Sequence, residues 1–202
     1  MSDMRQVTYR RFSPNDFDII AQLLGDLWYG HLCETSRYLC GEAELALHLS
    51  AHTFPWVVEV DNAVMGIALA RFGAPSTEAS QWASLHKALF AQALRNTRLD
   101  IDFELAACAE EKNLSEYRAR MNCGFLELLA VNPKAQGLGI GGKLFRLVED
   151  YLRAEGAEIL CLVTDDDCDW NFYEYKGLRR VAEGKAQTPR GELSCYAYEG
   201  TL

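Results

Sequence analysis

A strand that runs into a glycine-rich loop and then into a helix is the feature that most constrains this fold. The apolar segment 126–131 is followed, after a five-residue interval, by Gly137, Gly139, Gly141 and Gly142. Glycines let successive backbone N–H groups converge on one anion, and the first turn of a following helix adds unpaired donors and the positive end of its dipole. The sequence therefore predicts a site for a phosphate or pyrophosphate.

The residues after this loop predict a helix and then a buried strand. Apolar residues recur at helical spacing between positions 140 and 152, with charged residues between them, and the helix should stop near Glu155 and Gly156. The run 159–163 is uninterrupted, apolar and too short for a good helix, so it suits a parallel strand covered on both faces. Together these segments predict a βαβ unit of an α/β fold.

Two kinds of nucleotide site compete for such a unit. Gly137, Gly139 and Gly142 fit the pattern G-x-G-x-x-G, and residues 165–167 are aspartates where a dinucleotide-binding fold places its ribose-binding acid. Against this interpretation, residues 132–136 separate the strand from the glycines, and the 60 residues after Gly142 are too few for the rest of a six-stranded doubly wound sheet. A dinucleotide-binding oxidoreductase is therefore the weaker alternative.

A second interpretation accounts for more residues. Gln136-x-x-Gly139-x-Gly141, after a strand ending in L-A-V-x-P, resembles the [Q/R]-x-x-G-x-[G/A] loop that binds the acyl-CoA pyrophosphate in the GNAT superfamily of N-acyltransferases. Residues 172–178, F-Y-E-Y-K-G-L, are similar to the Y-E-K-x-G-F block of that family and lie at the expected distance beyond the loop. Two motifs in family order are much more specific than one.

The resemblance implies a single domain over residues 1–202, with a central mixed β-sheet flanked by helices. It implies transfer of an acetyl group from acetyl-CoA to a primary amine, by direct attack in a ternary complex. The implied cofactor-binding residues are Leu129, Ala130, Val131, Gln136, Gly137, Leu138, Gly139, Ile140, Gly141, Gly142 and Asp166. At Asp166 the family commonly has an asparagine; a carboxylate there can accept an amide N–H but cannot donate to a carbonyl.

Two residues are candidates for catalysis. Glu127 is the only charged residue in the segment 124–131, and family members often carry a glutamate on this strand as a base, acting directly or through water. A strand glutamate that faces solvent or a structural partner is an equally weighted alternative. Tyr173 matches the family tyrosine that protonates or hydrogen-bonds the departing sulfur, and its alternative role is packing among neighbouring aromatic rings.

The rest of the chain fits the same fold. A strand is predicted over 7–12, a helix from 13–16 onward, and a second helix over 42–52. Strands 54–60 and 63–71 flank Asp61-Asn62, a pair suited to a tight hairpin turn, and strands 177–183 and 192–198 flank a turn at 188–191. The buried stripe of the first helix is predicted to be Ile19, Leu23, Leu24, Leu27 and Trp28.

One long segment departs from the family pattern. Residues 72–122 stand where a short connection is usual, and apolar residues in 82–94 repeat at helical spacing, with a second, less clearly amphipathic helix compatible with 103–121. The insert is predicted to be helical, as a wall or lid of the acceptor pocket or as a dimerisation element. A homodimer is accordingly one expectation.

Composition limits the classes of partner. The formal charge of −9 disfavours nucleic acid and mildly favours a cationic amine, either a small molecule or a peptide, although solubility alone is the better explanation of the acidity. No apolar stretch is long enough to cross a bilayer, so no membrane association and a cytoplasmic location are expected.

The cysteines and histidines predict neither disulfides nor a metal. Seven scattered cysteines form no C-x-x-C pair and no disulfide framework, and they are expected to be reduced, with Cys168 the one to watch for reactivity. His48 and His52 are four residues apart, but no third ligand is suggested, so surface histidines are expected. A catalytically silent acyl-CoA-binding module, which would need neither Glu127 nor Tyr173, is kept as an alternative function.

Overall fold

One mixed, seven-stranded sheet with helices on both faces forms the framework of the chain. The computed structural model describes residues 5–75, 77–96, 122–188 and 191–202. The strands are β1 (Val7–Arg11), β2 (Phe54–Val60), β3 (Ala63–Arg71), β4 (Cys123–Val131), β5 (Ile159–Asp165), β6 (Arg179–Thr188) and β7 (Gly191–Thr201). The helices are α1 (Phe17–Trp28), α2 (Glu34–Leu49), α3 (Ala79–Asn96), α4 (Ile140–Ala154) and α5 (Asn171–Tyr175).

The strand order is β1-β2-β3-β4-β5-β7-β6, and within the described residues β4 and β5 form the only parallel pair. This arrangement confirms the predicted mixed sheet and the βαβ unit made by β4, α4 and β5. A doubly wound dinucleotide-binding fold would instead need a mostly parallel sheet. The predicted hairpin is also present, because Asp61 and Asn62 both have positive φ angles, 52° and 66°, as a tight two-residue turn requires.

Each face of the sheet has its own core. On one face α4 packs against β2, β3 and β4 through Leu144, Phe145 and Val148. On the other face α1 contributes Ile20, Leu23 and Leu24 to a cluster with the sheet residues Ile67 and Leu128.

The predicted buried stripe of α1 was wrong at Ile19, which is 46% exposed. The stripe centres on Ile20 and Leu24, and Ile19 lies about 100° around the helix from Ile20.

The second helix begins eight residues earlier in the chain than the predicted range, 42–52. Helix α2 begins at Glu34, after Cys33 adopts an extended conformation, and it ends at Leu49. His52 therefore lies beyond the helix and is not a surface residue: it is buried, its Nδ1 lies 2.6 Å from the Leu49 carbonyl oxygen, and burial lowers its pKa. The His48 Nε2 instead lies 3.8 Å from the Glu44 Oε2. No cluster of three or more metal-ligating side chains occurs in the described ranges.

The prediction that the cysteines would form no disulfide was also wrong. Cys123 and Cys161 are joined in a disulfide between β4 and β5. These residues are 38 positions apart, and only the parallel pairing of Cys123 with Ile159 and of Phe125 with Cys161 brings their Cα atoms to 6.5 Å. Sequence spacing could not reveal this register.

The first half of the insert is helical, as predicted. Helix α3 packs on α2, where the His86 Nδ1 lies 2.9 Å from the Ala43 carbonyl oxygen. The Trp82 ring stacks on Phe17 at 5.4 Å between centroids and meets Phe12 edge-on at 6.3 Å. The predicted helix at 103–121 lies outside the described residues. In the parts of the chain that the structure describes, no helix is both long and apolar enough to span a membrane.

Candidate active site

The predicted anion loop has a defined backbone conformation. After β4, a 3-10 turn at Pro133–Ala135 is held by the Asn132 side chain, which accepts the Lys134 N–H at 3.0 Å. Gly137 and Gly139 then take left-handed φ angles of +80° and +71°, a conformation that costs other residues about 1–2 kcal/mol. Helix α4 begins at once, and its first N–H groups have no acceptor within the helix.

The other two glycines face a second helix. Gly141 and Gly142 lie in the first turn of α4 and have helical backbone conformation. A Cβ atom on Gly141 would lie 3.9 Å from the Phe172 ring, and one on Gly142 would lie 3.0 Å from the Lys176 Nζ. Helix α5 therefore covers the start of α4. Gln136 and Leu138 are exposed on the loop, whereas Ile140 is buried and anchors the helix.

The two parallel strands diverge beside this loop. Residues Cys123, Gly124 and Phe125 pair with Ile159, Leu160 and Cys161, and no further pairs join β4 to β5 in the described chain. Strand β4 nevertheless continues to Val131, so Leu129, Ala130 and Val131 lie in its diverged part. The edge of β4 that faces β5 is open there to an extended ligand that forms hydrogen bonds with the backbone. The pantetheine arm of acyl-CoA has that shape and those amide groups.

Glu127 lies at an irregularity in β4, just after the divergence begins. Leu69 pairs with Leu128 and Ala70 pairs with Leu126, so the backbone of Glu127 falls between two consecutive pairs of the β3–β4 ladder and forms a bulge. Such bulges redirect side chains and are frequent beside active sites. The carboxylate is only 5% exposed, and its Oε1 accepts the Arg71 Nε–H at 2.7 Å. The structure thus excludes a Glu127 side chain that faces solvent. It does not decide between a catalytic base and a structural partner of Arg71.

Tyr173 lies in α5 among aromatic rings and acidic groups. Its ring contacts Phe145, Phe172 and Tyr198 at centroid distances of 6.4, 5.4 and 6.0 Å. Burial first, and then nearby acidic groups that include Cys168 and Asp165, raise the pKa of the phenol well above its usual value. Tyr173 therefore keeps its proton at neutral pH and can donate a hydrogen bond.

Cys168 is a poor candidate for a reactive thiol. Burial and the neighbouring carboxylate of Asp165 raise the pKa of its thiol to about 12. Since the thiolate is the reactive species, Cys168 is inert at neutral pH. Burial also raises the pKa of Asp165, so this group of side chains disfavours negative charge close to Tyr173.

An arginine that the sequence did not single out fixes α5 in place. The Arg180 guanidinium lies 3.8 Å from the centroid of the Tyr196 ring and 4.8 Å from that of Trp170. It donates to the Tyr198 hydroxyl at 3.0 Å and to Glu174 at 3.1 Å. These contacts tie the helix that carries Tyr173 to strands β6 and β7.

Asp166 is engaged with a neighbouring strand. Its Oδ1 accepts the Ser194 N–H at 3.2 Å, and its own N–H donates to the Ser194 carbonyl at 3.0 Å. The side chain is exposed. Asp166 thus extends the pairing of β5 with β7, and its role in cofactor binding stays a prediction.

Comparisons with known proteins agree with this geometry. The acetyltransferase (GNAT) family model matches residues 17–177. No curated protein matches the chain. A GNAT-family protein from Desulfovibrio desulfuricans has a similar structure, with a TM-score of 0.60 at 17% identity over 97% of this chain and 99% of that one.

Two further solved structures are similar in fold. The ribosomal-protein-S18-alanine N-acetyltransferase of Escherichia coli has a TM-score of 0.57 at 12% identity, over 98% of this chain and 94% of its own. The protein yncA of Salmonella typhimurium, solved with its cofactor acetyl-CoA, has a TM-score of 0.56 at 13% identity over the same shares. The match of the family model over most of the length shows that this chain belongs to the GNAT family of acetyltransferases and is an acyl-CoA-dependent N-acyltransferase.

Proposed function

We propose that the protein transfers an acetyl group from acetyl-CoA to a primary amine, by direct attack of the amine in a ternary complex. The observation that carries the proposal is the divergence of β4 from β5 directly beside the glycine loop. The loop suits a pyrophosphate, and the open edge of β4 suits an extended pantetheine arm that ends at the bulge. The amine would then approach from the side of Glu127.

The position of the thioester follows from the strand. Backbone N–H groups of Leu129, Ala130 and Val131 lie in the part of β4 that has no pairing with β5. One of these donors would bind the carbonyl oxygen of the acetyl group and stabilise the negative charge that develops there when the amine attacks. Successive residues of a strand direct their backbone groups to opposite edges, so the remaining N–H and C=O groups on the open edge would bind the pantetheine arm.

Glu127 is the proposed proton acceptor. An alkylammonium has a pKa near ~10 and a carboxylate one near ~4, so direct removal of a proton from the resting ammonium is strongly uphill. The ammonium has no lone pair, so the amine must first lose one proton to solvent and attack in its neutral form. Attack on the thioester makes the nitrogen far more acidic, and Glu127 would accept the second proton at that stage, directly or through one water. Its ion pair with Arg71 would hold the carboxylate in place.

Tyr173 is the proposed donor to the departing thiolate. A thiolate whose parent pKa is ~8.5 cannot fully deprotonate a phenol whose pKa lies above ~10, so the contact is a shared hydrogen bond or a late proton transfer. The raised pKa of Tyr173 supports this role, since the hydroxyl stays protonated near neutral pH.

A cationic small molecule or a peptide N-terminus is the proposed class of acceptor, in keeping with the net charge of −9.

Thermal unfolding with acetyl-CoA, CoA and NAD tests the site first. At a hundredfold excess over the dissociation constant, a bound ligand stabilises the folded state by about 2.7 kcal/mol. Stabilisation by acetyl-CoA and CoA, but not by NAD, is the expected result, and a panel of primary amines should then release free thiol from acetyl-CoA. Stabilisation by NAD alone would contradict the proposal. Binding of acetyl-CoA with no thiol release across a broad panel of amines would favour the silent module.

A further inference from the structure

Lys176 departs from the motif in which it lies. The family pattern Y-E-K-x-G-F places a lysine two residues after the tyrosine, whereas this chain has Tyr175 there and Lys176 one position later. Helix α5 ends at Tyr175, and Lys176 is its C-cap residue. The lysine therefore projects from a different position on the end of this helix.

The Lys176 ammonium lies against the start of α4. Its Nζ would be 3.0 Å, and its Cε 3.8 Å, from a Cβ atom on Gly142. The Nζ also lies 5.3 Å from the ring centroid of Phe172 and 6.0 Å from that of Tyr175, and the Tyr175 ring is 86% exposed. Two aromatic faces and the missing side chain of Gly142 thus define the position of the charge.

This position brings a second source of positive charge to the glycine loop. The N-terminus of a helix carries positive partial charge, so a cation beside it is repelled. Among the described residues, no ion pair joins Lys176 to a carboxylate. A dianionic group that lay between the ammonium and the N–H groups of α4 would turn this repulsion into attraction on both sides.

We infer that Lys176 binds the pyrophosphate of acyl-CoA, opposite the backbone N–H groups of the glycine loop. This inference rests on the proposed acetyl-CoA site. Lys176 is thus a cofactor-binding residue rather than a catalytic one. The absence of a side chain at Gly142 lets the ammonium lie close to the backbone of the helix.

Calorimetric binding of three ligands to the wild type, Lys176→Gln and Lys176→Arg tests the inference. Acetyl-CoA carries the pyrophosphate and the 3′-phosphate, acetyl-dephospho-CoA carries only the pyrophosphate, and S-acetylpantetheine carries neither. Lys176→Gln should raise the dissociation constants of the first two ligands by about tenfold and leave that of the third unchanged. Lys176→Arg should restore most of the affinity.

Lys87→Gln is the matched control. Lys87 is exposed on α3, on the other side of the sheet, and its replacement makes the same change of charge. Affinities equal to the wild type in Lys176→Gln would overturn the inference. So would a loss that persists with S-acetylpantetheine, which would indicate a packing effect, or a loss confined to acetyl-CoA, which would assign Lys176 to the 3′-phosphate. Failure of the wild type to bind acetyl-CoA would instead overturn the proposed function itself.

Discussion

At the residue scale, Tyr173 gives the most direct test of the chemistry. Tyr173→Phe keeps the ring contacts with Phe145 and Tyr198 and removes only the hydroxyl. If that hydroxyl donates to the leaving sulfur, kcat should fall by at least about tenfold while the KM for acetyl-CoA stays nearly constant. Steady-state kinetics measure both. Because burial raises the pKa of Tyr173, we expect no loss of its proton, and hence no alkaline fall in rate from this group, below about pH 9.

Tyr151→Phe is the matched control for this variant. The Tyr151 hydroxyl donates to Thr53 Oγ1 at 2.7 Å, so the same chemical change there removes a hydrogen bond on α4 outside the proposed site. Its kcat should match that of the wild type. Equal turnover in Tyr173→Phe and Tyr151→Phe would restrict Tyr173 to packing.

Glu127 poses a different question, because its ion pair gives it a structural role in either case. Glu127→Gln should lower kcat/KM for the amine by about a hundredfold if the carboxylate accepts the proton. It should also lower the free energy of unfolding by about 1–3 kcal/mol, since Arg71 loses its charged partner. Kinetics and urea denaturation on the same samples separate the two effects.

Glu199→Gln provides the comparison for Glu127. Glu199 is also a strand residue whose Oε1 accepts a hydrogen bond from an arginine, Arg179, at 2.6 Å. This variant should lose some stability and no activity. If Glu127→Gln retains wild-type turnover and loses only stability, the structural interpretation is correct.

At the element scale, α3 should behave as part of the folded body of the protein. Trp82 packs against Phe12 and Phe17, so Trp82→Ala removes the aromatic contact that fixes α3 to the helical layer. Because Trp82 is only partly buried, we expect a loss of about 2 kcal/mol in the free energy of unfolding rather than the larger loss of a fully buried tryptophan. Denaturant titration measures it. The exposed Lys87→Ala on the same helix should change stability by less than about 0.5 kcal/mol.

The elements also show which features local sequence patterns can predict and which they cannot. The loop, α4 and the hairpin at Asp61 and Asn62 follow from patterns within about 15 residues, and the structure has all of them. The bulge at Glu127 and the Cys123–Cys161 disulfide depend on the register between strands that are distant in sequence. The contact of Lys176 with Gly142 likewise depends on how two helices cross. Periodicity carries no information about such pairings.

At the scale of the whole molecule, stability should fall with acid in two stages. Burial lowers the pKa of His52, so the unfolded chain takes up its proton first, and stability is lost as the pH falls below about 6.5. Hydrogen bonds from Arg10 lower the pKa of Asp16, whose contribution is complete above about pH 4 and is lost as the pH falls through its folded-state pKa. Urea titrations from pH 8 to pH 3 measure both stages.

Single substitutions assign the two stages. His52→Gln should flatten the dependence between about pH 7 and pH 5, and Asp16→Asn should flatten it below about pH 4 while lowering stability at neutral pH. An unchanged slope in either variant would show that other groups control that stage.

The short stretch of pairing between β4 and β5, from Cys123 to Phe125 on β4, is a seam that affects how firmly the two halves of the sheet are held together. In the part of the sheet that the structure describes, three residue pairs and the Cys123–Cys161 disulfide join the four strands before α4 to the three after it, and beyond them the sheet is open. The proposed cofactor would enter this opening and pair with the edge of β4 that the chain leaves unpaired there. Backbone amides on either side of the seam should then exchange with solvent more slowly when it is bound. The bound cofactor would thus take the place of a neighbouring strand along this part of β4, and each release of product would leave that edge unpaired again.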